Sequence, residues 1–230
     1  MKGPVFLLLV LVLASVAVAT PAHADATLDG VSVHTTERTT QAVTVKHTFG
    51  WHARVTYWTR DTGGPWEARR QVVDGRTGYG GLVPATYRRQ GTGTTPLGTF
   101  RLPSFFGTHE HSDTWRLPYR RIRPGDYWVQ DNASDYYNRY RNKTQGGFRW
   151  WLPRSHADSS ERLTDFRQPY EYAIVTSFNH QQVRHRGAGI FLHVNGRAAT
   201  AGCVSAPRWL LRYLVRVLDP ARQPVVAVGR

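Results

Sequence analysis

Cysteine, methionine and acidic side chains are all scarce in this chain of 230 residues. It has one cysteine, Cys203, and one methionine, and its 16 acidic side chains stand against 30 lysines and arginines. A single cysteine excludes an internal disulfide framework, so Cys203 is either a reactive thiol or a small buried apolar residue. The shortage of acidic side chains leaves a formal net charge of +14, which predicts anionic partners.

Long apolar runs are absent except at the start of the chain. Residues 5–19 are almost uninterrupted apolar, follow the basic Lys2, and precede a small-x-small sequence at residues 22–24. The run is shorter than the ~20 residues that a membrane-spanning helix needs. The pattern therefore predicts a signal peptide over residues 1–24 rather than a membrane anchor. We expect a secreted or cell-envelope protein that begins at Asp25 and keeps no stable membrane anchor.

The basic charge remains when the predicted signal peptide is removed. Without Lys2 the chain has 29 basic and 16 acidic side chains, a formal charge of +13. An exported protein meets the negative polymers of a cell envelope rather than nucleic acid. We therefore expect anionic cell-wall polymers as partners and no nucleic acid, with general solubility as the alternative explanation of the charge.

Hydrophobic periodicity predicts a mainly β fold. The candidate strands are residues 41–49, 52–59, 66–73, 99–102, 172–178, 189–194 and 224–228. The glycine-rich residues 75–96 predict a loop, and residues 103–170, called the insert below, predict short strands and ordered loops. With no internal repeat, we divide the chain into an N-terminal β-rich segment over residues 25–79 and a main domain over residues 80–230.

One helix is predicted near the C-terminus. Ser205 can cap it, Pro207 suits its first turn, and Asp219 with Pro220 would end it. Its apolar side chains recur at helical spacing and are expected in the core. They are Trp209, Leu210, Tyr213, Leu214, Val217 and Leu218.

The surroundings of Cys203 favour a catalytic thiol. His193 lies ten positions upstream at the end of a predicted strand, and Asn195 with Gly196 predicts a turn that brings the chain back. A cysteine nucleophile needs a base, a positive local field and an oxyanion hole. We expect His193 to be the base and the N-terminus of the predicted helix to supply the field. The alternative is a buried apolar cysteine beside a core histidine.

Four neighbouring residues complete the predicted site. The backbone amides of Gly202 and Cys203 are expected to hold the oxyanion, because glycine lets the chain approach a substrate closely. Thr200, Ser205 and Asn195 are expected to steady the turn or bind substrate.

A metal site has little support in the sequence. His109 and His111 form an H-x-H pair, but no third ligand lies near them along the chain. We therefore expect no metal site at this pair.

Two blocks, residues 94–100 (TTPLGTF) and 190–203 (IFLHVNGRAATAGC), stand in the order of a known enzyme family. They resemble the T-P-x-G-x-F pattern and the histidine-to-cysteine signature of the YkuD-type L,D-transpeptidase catalytic domain, found in secreted bacterial enzymes of peptidoglycan cross-linking. The second block is the specific one. The resemblance implies a β-sandwich or barrel with one C-terminal helix after the catalytic cysteine, and it interprets residues 80–230 as the catalytic domain.

The resemblance also implies the chemistry. Cys203 would be the nucleophile, His193 the base, and the amides of Gly202 and Cys203 the oxyanion donors. The thiolate would attack a peptidoglycan peptide stem at the amide between a diamino acid and the terminal D-alanine. An amine of a neighbouring stem would resolve the thioester, which implies a role in cell-wall organisation and cell shape. Resolution by water would give an L,D-carboxypeptidase side activity. The resemblance implies no metal and no organic cofactor.

Three features depart from the family's pattern. Ala201 stands where members usually have histidine, only nine residues separate His193 from Cys203, and Ser205 stands where many members have arginine or asparagine. The nucleophile and the base are present, while donor specificity and the choice between transpeptidation and hydrolysis stay open.

Two alternative functions also stay open. A sortase-like transpeptidase pairs histidine with cysteine on an exported β fold, but it places a strand after the cysteine, where a helix is predicted here. A non-catalytic, basic wall-binding protein of the same fold would account for Ala201 and the short spacer.

Overall fold

The computed structural model describes residues 24–230 of the chain. The predicted signal peptide, apart from Ala24, lies outside these residues. Within them the regular structure consists of sixteen strands, one α-helix and short 3₁₀ turns. Over the same range, no helix has both the length and the apolar character needed to cross a membrane.

The elements follow one another in a long series of short strands. The strands are β1 (Ala24–Leu28), β2 (Val31–Thr35), β3 (Gln41–His47), β4 (His52–Thr59), β5 (Glu67–Arg76), β6 (Leu82–Pro84), β7 (Thr95–Arg101), β8 (Ser104–Gly107), β9 (Tyr119–Arg121), β10 (Asp126–Trp128), β11 (Tyr140–Asn142), β12 (Glu161–Arg162), β13 (Tyr172–Val175), β14 (Phe191–Val194), β15 (Val204–Ala206) and β16 (Val225–Gly229). The helix α1 spans Arg208–Val217, and the 3₁₀ turns are Ala85–Tyr87, Lys143–Gln145, Leu163–Phe166, Pro169–Glu171 and Pro220–Arg222.

Eleven strands form one sheet, in the order β6-β7-β16-β3-β4-β5-β15-β14-β13-β8-β9. Within it, β14 and β15 run parallel, and the C-terminal β16 runs parallel to β3 and antiparallel to β7. The strands β1 and β2 form a separate hairpin, and β10, β11 and β12 form a small antiparallel sheet inside the insert.

The strand β14 divides its side chains between two cores. Leu192 and Val194 pack in the larger core with the apolar face of α1. Phe191 and Cys203 pack in a second core with aromatic side chains of the insert. Because strand residues alternate between the faces of a sheet, His193 shares the face of Phe191. Cys203 and His193 therefore lie under the insert, on the sheet face opposite α1.

The predicted mainly β fold with one helix is confirmed. The strands β3 and β4 lie where the alternation of apolar and polar residues predicts them. The strands β3, β4 and β5, from the predicted N-terminal segment, lie in the same sheet as the strands after residue 80.

Three local predictions are wrong. Val204–Ala206 form the strand β15 and α1 begins at Arg208, so Ser205 caps no helix. Pairing with β14 buries this short run in the sheet and outweighs its resemblance to a helix start. Trp209, predicted in the core, is 51% exposed. The predicted loop over residues 75–96 contains the strand β6, which pairs with β7.

Candidate active site

Cys203 and His193 lie on one face of two neighbouring strands. The strands β14 and β15 pair in parallel with His193 opposite Ser205, and Cys203 comes immediately before β15. A strand spacing of about 4.8 Å and a rise of about 3.3 Å per residue place the Cα atoms of Cys203 and His193 about 8 Å apart. Side chains at this separation can reach the same substrate atom.

A cavity of about 880 Å³ lies over this pair. Cys203, His193 and Thr200 line it, together with residues of the insert and of the segment before β7. A concave site of this size is typical of small-molecule and cofactor pockets. Three predicted site residues are not among its lining residues: Asn195, Gly202 and Ser205.

The Cys203 thiol is buried and protonated at neutral pH. Its Sγ donates to the carbonyl of Gly189 at 3.2 Å and accepts from the amide of Phe191 at 3.4 Å. Burial raises the pKa of Cys203 to about 12; the carboxyl of Glu161 adds to the rise, and the guanidinium of Arg88 opposes it. The thiol is therefore held in its neutral form until a substrate or a base changes its surroundings.

The N-terminus of α1 does not supply the predicted positive field. Five residue steps, mostly along the extended β15, separate Cys203 from Arg208, or roughly 16 Å at the rise of a strand. The helix dipole acts mainly within a turn of the helix end. The prediction of a helix field at the thiol is therefore wrong. The argument against a sortase-like enzyme also fails at this point, because the strand β15, and not a helix, directly follows Cys203.

His193 is a buried, neutral imidazole. Its Nδ1 lies 2.8 Å from the carbonyl oxygen of Val194, so we assign the proton to Nδ1 and the lone pair to Nε2. Burial lowers the pKa of His193 to about 4, and the hydrogen bond to Val194 offsets this only in part. The ring of Tyr170 packs edge-on at 5.5 Å. His193 is thus in the protonation state that a general base requires, although no hydrogen bond joins it to Cys203 among the described residues.

Thr200 braces the turn that carries the cysteine. Its hydroxyl donates to the carbonyl of Cys203 at 2.6 Å and accepts from the amide of Gly202 at 3.1 Å. Gly202 has φ of 126°, in the region that favours glycine. The Gly202 amide, predicted as an oxyanion donor, is therefore already bonded to Thr200, and the amide of Cys203 is left as the candidate donor.

Ser205 and Asn195 connect strands in this structure. Ser205 is fully buried and its Oγ donates to Asn195 Oδ1 at 2.7 Å. Asn195 Nδ2 in turn donates to the carbonyl of Asp74 at 2.7 Å. These bonds link β15, the end of β14 and β5 outside the lining of the cavity, because both polar side chains are used within the sheet. Their predicted contact with substrate is corrected to this bracing role.

Sequence reasoning missed a hydrogen-bonded pair of a glutamate and a tyrosine near the thiol. Glu161, in β12, lines the cavity and accepts a short hydrogen bond from the hydroxyl of Tyr170. Burial raises the pKa of the Glu161 carboxyl to about 7, and the bond from Tyr170 opposes the rise. Neither residue lies in a motif or a periodic segment, so no sequence signal indicates their contact with the site.

Sequence reasoning also missed Arg88, which lines the cavity from the segment before β7. It is only 4% exposed. Its one sequence signal is its place six positions before the TTPLGTF block, and an arginine at that distance predicts no specific role.

The H-x-H pair does not gather metal ligands. Within residues 24–230, no three His, Cys, Asp or Glu side chains are grouped so that they could hold a metal ion. His109 Nε2 lies 2.7 Å from a carboxylate oxygen of Glu171, and His111 Nδ1 lies 3.7 Å from one of Asp113. The two histidines therefore have separate acidic partners.

Comparison with known proteins assigns the chain to a family. The model of the L,D-transpeptidase catalytic domain (YkuD) matches residues 52–226, which is more than half of the chain and begins before the boundary predicted near residue 80. No curated protein and no solved structure matches it. The match agrees with the mainly β architecture and supports an L,D-transpeptidase-like function in peptidoglycan. The chain therefore belongs to the YkuD family of L,D-transpeptidase catalytic domains.

Proposed function

We propose that this protein is an exported cysteine acyltransferase that cross-links peptidoglycan peptide stems. One observation carries the proposal: a cysteine and a neutral histidine face the same cavity from adjacent strands of an L,D-transpeptidase domain. Cys203 is the proposed nucleophile and His193 the proposed base. The proposed acyl donor is a tetrapeptide stem whose third residue is a diamino acid and whose last residue is D-alanine.

The protonation states decide how the first step begins. At pH 7 the thiol and the imidazole are both neutral, because burial raises the pKa of Cys203 to about 12 and lowers the pKa of His193 to about 4. A thiolate–imidazolium pair is therefore unfavourable before the substrate arrives. The sulfur loses its proton to His193 Nε2 while it attacks the carbonyl carbon, after the thiol has turned away from Gly189.

The remaining steps release D-alanine, resolve the thioester and regenerate the neutral thiol and imidazole. As the S–C bond forms, the carbonyl oxygen becomes an oxyanion beside the amide of Cys203. The C–N bond to D-alanine then breaks, and the imidazolium of His193 gives its proton to the leaving nitrogen. An amine of a second stem attacks the thioester and passes a proton to His193, which returns it to the departing sulfur.

Export and attachment to the wall form the second part of the proposal. They are supported by the signal-like residues 1–24 and by the formal charge of +13 on the remaining chain. Attraction between exposed charges is screened beyond about 8 Å near physiological ionic strength. Binding to purified sacculi should therefore weaken as the salt concentration rises, and binding that ignores salt would contradict the charge-based attachment.

Intact-mass spectrometry of the purified protein tests the chemistry. We expect incubation with the tetrapeptide stem to add the mass of the stem minus alanine, because the thioester forms as D-alanine leaves. A carbapenem, which resembles an acyl donor, should add its full mass when its ring opens on the thiol. Both adducts should be absent from Cys203→Ala.

A matched control separates acylation from loss of structure. Cys203→Ser replaces the thiol with a slightly smaller hydroxyl that can also bond to Gly189 and Phe191, so its thermal unfolding should stay close to that of the wild type while the adducts disappear. Wild-type protein that gains no mass from either compound, with the thiol still present by mass, would refute the acyltransferase.

A non-catalytic wall-binding protein is the second candidate. It is favoured by the buried hydrogen bonds of the Cys203 thiol to Gly189 and Phe191, which leave none to His193 among the described residues. Under this alternative, Cys203→Ala binds sacculi as tightly as the wild type, and the wild type turns over no stem peptide.

A further inference from the structure

Arg88 is a buried cation beside the nucleophile. Only 4% of it is exposed, and it lines the same cavity as Cys203 and His193. Burial lowers the pKa of Arg88, and the nearby Cys203 opposes that shift. A guanidinium in such surroundings is stabilised most by an anion.

Within residues 24–230, the partners of Arg88 are neutral groups and include no carboxylate. Its Nε donates to the carbonyl of Thr94 at 2.8 Å, and its Nη1 donates to the carbonyl of Arg186 at 3.2 Å. The guanidinium also lies over the ring of Phe178, 5.4 Å from its centre. Among the described residues, the ion pairs within 4.0 Å include none to Arg88. These contacts fix the orientation of the guanidinium without neutralising it.

Two glycines leave room for this side chain next to the thiol. A Cβ atom at Gly202, the residue before Cys203, would lie 2.8 Å from Arg88 Nη2. A Cβ atom at Gly187 would overlap Nη1. The guanidinium therefore lies between the segment that precedes Cys203 and the segment that precedes β14.

The other arginines that line the cavity are in a different position. Arg154 and Arg162 both pair with Asp165, at 2.6 and 2.7 Å, and Arg197 is exposed. Arg88 is thus a buried cation of the cavity lining, and it has no acidic partner in the part of the chain that the structure describes.

We propose that Arg88 binds the carboxylate of the terminal D-amino acid of the acyl donor. This inference rests on the proposed acyl transfer and names the group that selects its substrate. Three bonds of about 1.3–1.5 Å join the attacked carbonyl carbon to that carboxylate carbon, so the two atoms lie within about 4 Å of each other. A cation that recognises the carboxylate must therefore lie next to the thiol, as Arg88 does. The planar fork of a guanidinium fits a carboxylate with two parallel hydrogen bonds.

Two donors that differ in one group test this assignment. One is the tetrapeptide with a free terminal carboxylate, and the other is the same peptide ending in a carboxamide. The rate of acyl-enzyme formation is measured by intact mass for the wild type and for Arg88→Gln, Arg88→Lys and Arg89→Gln. Arg89 is the matched control, because it is an exposed arginine next in sequence that does not line the cavity.

We expect the wild type to react with the carboxylate donor about 10- to 100-fold faster than with the amide, as a charge-assisted contact is worth one to two decades. In Arg88→Gln the ratio should fall to within about threefold of one, mainly through slower reaction of the carboxylate donor. Arg88→Lys should give an intermediate ratio, and Arg89→Gln should keep the wild-type ratio. A merely structural role of Arg88 would slow both donors equally.

Three results would overturn the assignment. The first is a wild type that acylates both donors equally, which refutes the role of Arg88 while the acyltransferase stands. The second is a folded Arg88→Gln, judged by its unfolding temperature, that keeps the wild-type ratio. The third is a wild type acylated by neither donor, which refutes the acyltransferase and this inference together. Since the first comparison uses wild-type protein only, it can refute the assignment even where Arg88→Gln does not fold, and the ratio of Arg88→Lys then attributes the preference to the guanidinium.

Discussion

The Cys203 thiol should ionise far above the pH at which a free cysteine does. Its pKa is about 12 against an ordinary 9.0, because the buried site disfavours the charged form. At pH 8 this corresponds to a thiolate fraction of about 10⁻⁴ instead of about 10⁻¹. Since the thiolate is the reactive species, alkylation by iodoacetamide should be slower by about three decades, before any steric shielding is counted.

The pH profile separates ionisation from shielding. We expect the alkylation rate, followed by intact mass, to rise about tenfold per pH unit up to about pH 10.5 without a plateau. Steric shielding lowers the whole curve but leaves its shape unchanged. In denaturing urea the same protein should show a midpoint near its ordinary pKa, which serves as the control.

A variant of the neighbouring acid tests the cause. The carboxyl of Glu161 raises the pKa of Cys203, but less than burial does. Glu161→Gln should therefore shift the profile to lower pH without bringing it to the value in urea. A plateau below about pH 9.5 in the folded wild type would refute the reasoning, because it would show that the site does not disfavour the thiolate.

Three further predictions follow from other contacts. His193→Asn should reduce the rate of acylation by about 10²–10⁴-fold, because the general base is lost. The rate of Cys203 alkylation by iodoacetamide should change less than about threefold, since His193 makes no hydrogen bond to the thiol. A parallel fall of both rates would contradict the role of His193 as base. Leu214→Ala should lower the free energy of unfolding in urea by about 2–5 kcal/mol, since Leu214 is fully buried under the sheet, and a loss below about 1 kcal/mol would mean that the core refills the space. Asp131→Asn should cost at most about 2 kcal/mol at pH 7, because Arg149 holds the pKa of Asp131 near 2 but is itself 36% exposed. As this pKa lies below its unfolded value, the stabilisation is present above about pH 4 and is lost as the pH falls towards 2, so the urea midpoints of wild type and Asp131→Asn should converge in acid.

Strand alternation explains what the sequence predicts well. The period of two along β4 follows from one face, on which Ala53, Val55 and Tyr57 are buried in the larger core. Residues 41–45 of β3 are buried on both faces, so its pattern reflects residue type rather than exposure. The same period places His193 on the face of Phe191. Its approach to Cys203 is predictable because only nine residues, with a turn signal at Asn195 and Gly196, separate the two.

The errors near the cysteine have a local cause. Ser205 and Pro207 match the residue preferences of a helix start, yet the parallel pairing of β15 with β14 decides the conformation of Val204–Ala206. A three-residue strand has too few residues to show a period. The predicted effect of the helix dipole on the thiol depends on a helix that starts directly after Cys203. Because α1 begins only at Arg208, that prediction is wrong as well.

The charged groups of the cavity cannot be predicted from the chain in this way. Glu161 and Arg88 lie 42 and 115 positions before Cys203, in segments without periodicity. Glu161 meets the thiol because the insert folds over the sheet, and Arg88 does so because the segment before β7 packs against the residues that precede Cys203. Both arrangements depend on many long-range contacts at once. Neither residue type nor spacing along the chain indicates such packing. His193 and Cys203, in contrast, lie within one short segment, so their spacing could be recognised.

The interior position of β16 affects how the chain can reach its native state. This strand pairs Val225 with Ala42, which are 183 positions apart, and it joins β3 to β7 as the third strand from one edge of the sheet. Pairing at such separation is a slow step in folding, because a long loop must close before the contact forms. A growing chain therefore cannot complete this sheet until Val225–Gly229 have been synthesised. Until then, β3 and β7 each expose the edge that β16 covers in the complete sheet, and exposed strand edges are sites of aggregation.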